Sequence, residues 1–166
     1  MRRWSALALV RLGEPVSPLA AALLHDGQEA WRHPAALAIA ERGGGEACDE
    51  LTGWWAEVVP AAADSRPDGE PLQLSIDLLH ARQLLDATVK AHCRGAVGAL
   101  IRALGDVRAR QYVADALGAL GDPRARSALS TLVRDESNVT SRQHEVSALR
   151  ALGVPVDPID RPPPAK

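Results

Sequence analysis

The chain has no phenylalanine, one tyrosine, one methionine and two cysteines among its 166 residues. β-Branched and aromatic residues are sparse, while Ala and Leu dominate a hydrophobic share of 46%. Little here favours strands, and an all-α fold is the economical reading. Small alanine side chains let helices approach closely, which suits stacked helix pairs better than one large globular core. Cys48 and Cys93, 45 residues apart, are too few for a disulfide framework and point to a reducing compartment. No run of residues is long enough to span a bilayer. Met1-Arg2-Arg3 followed by Trp4 to Val10 imitates a secretion signal, but Arg11 interrupts its apolar run after seven residues. A cytoplasmic location is the expectation. With a net charge of −2 and acids interleaved with bases, no global attraction to nucleic acid or to an anionic membrane follows.

What the chain does contain is a repeat. Laid over Ser130–Gly153 at a shift of 32, Gly98–Gly121 is identical at ten of 24 positions, among them Arg110/Arg142, Gln111/Gln143, Leu117/Leu149 and Gly121/Gly153. Self-similarity at such a period is the mark of a solenoid. Each unit has a short apolar stripe (Leu100, Ile101, Leu104; Leu129, Leu132, Val133) and then a polar break at Gly105-Asp106 or Glu136-Ser137-Asn138. A second stripe follows and closes on glycine. That is helix, turn, helix.

The other segments follow the same rhythm less cleanly. Residues 1–13 align with 31–43 at a shift of 30, and Arg2 and Gly13 fall in register with Arg110 and Gly121. The apparent signal is thus the second helix of a repeat whose first helix is missing, either a cap or the edge of a longer array, and a possible contact for self-association or a larger assembly. A helix pair follows from Glu14-Pro15, turning at His25-Asp26-Gly27, with Gln28 to Arg42 as its second member. Pro34 offends inside that helix and suggests a later start, with Ala30–His33 as turn. Glu46 to about Ala62 reads as the next helix. Residues 60–71, with three prolines, read as an exposed loop. Leu72 to about His92 forms a long helix in which Arg82-Gln83 echoes Arg110-Gln111. Residues 154–166 read as a proline-rich tail for which disorder is the expectation. The whole reads as an α-solenoid of about four to five antiparallel helix pairs over 1–153.

Gly121-Asp122-Pro123-Arg124-Ala125, an apolar helix, and a second helix ending Ala-Leu-x-Ala-Leu-Gly resemble the HEAT-like repeats of the phycobilisome-lyase type. The resemblance is strong over 95–153, fair over 1–43 and poor over 44–93. It implies a curved solenoid in which an early arginine of each second helix meets an acid of the turn. That arginine falls on Arg2, Arg32, Arg110, Arg142 and Arg82, with Asp26, Asp106 and Asp135 or Asn138 as turn partners. His144-Glu145 is similar to the His-Glu pairs of the deoxyhypusine hydroxylase branch. The matching positions are Tyr112-Val113, Pro34-Ala35 and Trp4-Ser5, so the di-iron set is incomplete, and no metal or cofactor is expected.

Two groups of side chains remain as partner-binding candidates. One is Arg82, Arg110, Gln111, Arg142, Gln143 and His144 along the second helices, where arginines either bind an acidic partner or are consumed by the turns. The other is Trp54 and Trp55, which point about 100° apart on a helix, so at most one is expected in the core. No nucleophile has a paired His and acid, and no Gly-rich loop follows a strand. The expected function is a non-catalytic scaffold or adaptor that binds another protein. An enzyme subunit resembling phycobilin lyases and a nucleic-acid-binding HEAT-like module are the alternatives.

Overall fold

The computed structural model describes residues 29–59 and 78–156, together with residues 8, 12, 22, 23 and 74 singly. Apart from residues 8 and 12, the N-terminal half-repeat lies outside the described residues, as do the 60–71 loop and the tail beyond Val156. Among those described there is no strand. Within 29–59 and 78–156 seven α-helices are described, in order: α1 (Glu29–Arg42), α2 (Gly44–Val58), α3 (Leu78–Lys90), α4 (Val97–Ala103), α5 (Arg110–Leu120), α6 (Ala125–Asp135) and α7 (Val139–Ala151). A short 3-10 turn, Arg94–Ala96, leads into α4.

The helices form two layers. In one, α1, α3, α5 and α7 pack each on the next; in the other, α2 meets the 3-10 turn and α4, and α4 meets α6. Hairpin contacts of α4 with α5 and of α6 with α7 join the layers. This is the α-solenoid expected, with second helices stacked side by side. The core among the described residues is one cluster, mostly Ala, Leu and Val with Ile39, Trp54 and Trp55, running from Leu23 to Leu152.

Glycine sets where the helices stop. Gly121 ends α5 in the left-handed conformation (φ 67°), and its N–H bonds the carbonyls of Leu117 and Gly118. That conformation costs a residue with a Cβ about 1–2 kcal/mol. Gly43 and Gly44 (φ 68° and 88°) let α2 begin directly after α1. The triple glycine therefore separates the helices with almost no loop.

Two sequence expectations need correction. Helix α1 runs through Pro34 instead of starting there. Pro34 is its sixth residue, past the first turn where proline is best tolerated, so the helix forgoes the bond to the Ala30 carbonyl there and continues on its packing against α2 and α3. Trp54 and Trp55 are both buried, at 3% and 0% exposure. Helix α2 has neighbours on several sides (α1, the 3-10 turn, α4 and, through Trp55, α3), so directions 100° apart are both covered. Trp55 Nε1 donates to Thr88 Oγ1 on α3 at 2.8 Å, and that hydroxyl donates to the Leu84 carbonyl. Neither tryptophan is available to a partner.

The cysteine expectation is also overturned. Cys48 on α2 and Cys93 after α3 are joined as a disulfide, with their Cα atoms 4.9 Å apart. The packing of α2 against the 3-10 turn that follows α3 closes a distance that spacing along the chain could not reveal.

Among the described glycines, Gly118 marks a close approach between α5 and α7. A Cβ on Gly118 would sit 2.8 Å from Ala148 Cα and 3.1 Å from Ala148 Cβ. Gly118→Val is therefore expected to lower unfolding stability by about 1–3 kcal/mol through overpacking. Gly98, on α4, is exposed and has nothing within 4 Å of a new Cβ. Gly98→Ala should raise stability by about 0.5–1 kcal/mol. Urea titration of both variants checks the pair.

Candidate functional site

The turns are held by a device used twice. In Asp106-Val107-Arg108 the carboxylate accepts the Arg108 backbone N–H at 2.9 Å and its guanidinium at 3.1 and 2.8 Å. In Asp122-Pro123-Arg124 the same three bonds measure 3.0, 2.9 and 2.8 Å. Both turns also reach back one unit: Asp106 accepts the Leu74 N–H, and Arg124 donates to the Arg94 carbonyl, at 2.9 and 2.8 Å. The bonds from Arg124 hold Asp122 down to about 2. Burial pushes Asp106 up, but the Arg108 guanidinium and the N–H groups of Leu74 and Arg108 win and leave it below its usual value.

Arg110 is consumed within the stack. Its Nε donates to the Leu104 carbonyl at 2.9 Å and its Nη1 to Glu136 Oε2 at 2.6 Å. The partner is Glu136 of the following unit, not Asp106, Asp135 or Asn138. The two side chains are only 17% and 9% exposed. Arg110→Ala leaves the buried Glu136 without its guanidinium partner and should cost about 1–3 kcal/mol, the range for a bond to a charged group. An unchanged melting temperature would contradict this.

One unit further, the pattern changes. Arg142 occupies the Arg110 position, and its Nη1 is buried without a hydrogen-bond partner. Beside it Glu145 is completely buried, and neither carboxylate oxygen has a partner. Glu145 stands where the preceding unit has the fully buried Val113. Burial first, and then the nearby Glu136 charge, raise it to about 7 against the opposing pull of Arg110 and Arg142.

The second-helix layer carries an open cleft across α3, α5 and α7, with a volume of about 440 Å³. The buried Leu85 and Ala116 form its base, with Val89 and Ala119 beside them, and Arg82, Asp86, Lys90, Tyr112, Asp115 and His144 stand around it. The cleft exists because Ala116 and Ala119 leave the space that larger side chains would fill. Arg82 stacks over Tyr112, with its guanidinium carbon 5.3 Å from the ring centroid. His144 Nδ1 meets both Asp115 oxygens, at 2.9 and 2.8 Å. Lys90 reaches Glu41 on α1 at 4.0 Å.

The sequence candidates thus separate. Arg82 and His144 come together in the cleft. Arg110 is spent inside the fold, Arg142 and Gln111 are half-buried, Gln143 is exposed outside the cleft lining, and the tryptophans belong to the core. Tyr112, Asp115 and Asp86 are cleft residues that sequence reasoning did not single out. Tyr112 and His144 share one repeat position, and that register was the available signal. Among the described residues no group of three or more His, Cys, Asp and Glu is placed to hold a metal ion. Nor is any described helix long and apolar enough to cross a membrane.

Residues 109–135 match the family model of the PBS lyase HEAT-like repeat. No curated protein matches the chain. The matched stretch spans α5, the Asp122 turn and α6. The match covers one helix–turn–helix unit, and the helix pairs packed around it repeat that architecture.

Proposed function

We propose that this stack of HEAT-like helix pairs is a non-catalytic scaffold that binds another protein through its second-helix face. The observation that carries this reading is the cleft over α3, α5 and α7: an apolar base with a charged and aromatic rim, mounted on packed helices. Side chains held on rigid helices lose little entropy on binding, so such a surface works without a deep pocket. The turn and rung contacts keep the stack in one register. Cleft arginine and lysine already have partners in Tyr112 and Glu41, which weighs against a groove for nucleic-acid phosphates. The disulfide removes the cysteine argument for a cytoplasmic location.

Ala119 is exposed at the cleft and Thr131 is exposed on α6 in the other layer. A tagged pull-down from native lysate should retain a protein with wild type and with Thr131→Trp, and lose it with Ala119→Trp. Retention by all three, or loss with Thr131→Trp as well, would count against the cleft as the binding surface.

A further inference from the structure

The charges around the cleft are unequal in one respect. Arg82 lies over the Tyr112 ring, His144 is bound to Asp115, and Lys90 reaches Glu41. Asp86 is the exception. It is exposed at the cleft, and among the described residues its carboxylate makes no hydrogen bond or ion pair, although Arg82 and Lys90 stand four residues to either side on α3. Residues four apart on a helix are neighbours, so both cations could have turned to it. Each has another partner instead.

With His144 counted neutral, the lining cations Arg82 and Lys90 balance the lining acids Asp86 and Asp115, and the Asp86 carboxylate is the one lining charge without a partner of its own. Directly beside that charge lie Leu85 and Val89 of the same helix and Ala116 of the next. A carboxylate next to an apolar base suits a long side chain that is itself divided in this way, with an aliphatic stem and a cationic head. We propose that the cleft takes an arginine or lysine side chain of a partner segment, its stem laid on Leu85, Val89 and Ala116 and its charged head against Asp86, with Asp115 as the second acid within the same space. This assignment rests on the cleft being a protein-binding surface. An acidic segment would bring a like charge to Asp86 and is rejected by the same arrangement.

N-acetyl-leucyl-arginine amide is small enough for a volume of about 440 Å³ and serves as the probe. In ¹⁵N-labelled protein at low salt and millimolar peptide, it should shift the amides of residues lining α3 and α5. N-acetyl-leucyl-glutamate amide should not. Asp86→Lys should weaken the arginine peptide at least about tenfold, because it sets like charges face to face, whereas Asp86→Glu should keep binding. Equal shifts from both peptides, no shift from either, or indifference to Asp86→Lys would overturn the assignment. So would shifts of the same amides that grow with protein concentration alone, which would place a second copy in the cleft. A lysate partner blocked by Ala119→Trp yet unaffected by Asp86→Lys would overturn the cationic side chain while leaving the scaffold reading intact. Loss of Ala119→Trp sensitivity would remove that reading itself.

Discussion

Glu145→Gln should stabilise the fold by about 3 kcal/mol at pH 8 and by little at pH 5. The carboxyl is completely buried with both oxygens unpartnered, and its pKa lies at about 7 in the fold against an ordinary 4.5. At about 1.4 kcal/mol for each pH unit, holding the charged form inside costs about 3 kcal/mol. Between pH 4.5 and 7 the folded chain keeps a proton that the unfolded chain has released. Stability therefore falls as pH rises through that window and levels off above it. The acid side runs the opposite way. Asp122 sits at about 2, and Asp106 and Glu136 are also lowered, so their contribution is present above the ordinary carboxylate range and is lost as pH drops below it. Wild type should be most stable near pH 5, and Glu145→Gln should flatten only the alkaline limb. Urea unfolding of both chains from pH 4 to pH 9 checks this. Parallel curves would mean that Glu145 is solvated in solution.

Reducing the Cys48–Cys93 disulfide should lower stability by about 4 kcal/mol, the chain-entropy value for a loop of this length. The bridge closes 45 residues of chain, including the stretch 60–73 and all of α3. In a chain of this size that loss corresponds to roughly 10 °C in melting temperature. The double variant Cys48→Ser/Cys93→Ser should melt like the reduced protein, and the reductant should not lower it further. Native protein should react with no thiol reagent until reduced. Two titratable thiols in protein purified under air, with a melting curve indifferent to reductant, would contradict the bridge.

How far the sequence reached depended on whether a feature repeats. Helices α4 to α7 and their turns were legible because residues 98–153 say the same thing twice, so stripe, break and closing glycine could be checked against each other. The region around α2 and α3 has no such second copy. Its helix ends depend on Gly43 and Gly44 adopting positive φ, and its disulfide depends on α2 meeting the turn after α3. Trp54 and Trp55 defeated a one-face argument because α2 is covered on more than one side. Arg110 was placed correctly at the start of a second helix. Its acid was not, because the rung crosses to the next unit, where Glu136 stands opposite Leu104 in the repeat alignment. The cleft was the least visible feature. It is made by the smallness of Ala116 and Ala119, and missing volume leaves no motif.

The central claim is that a partner lies on the α3, α5 and α7 face. Hydrogen–deuterium exchange of the chain alone and with the protein retained in the pull-down tests it most directly. Slower exchange on binding should concentrate in residues 82–90, 112–119 and around His144. Protection confined to α4 and α6, in the other layer, would contradict the account.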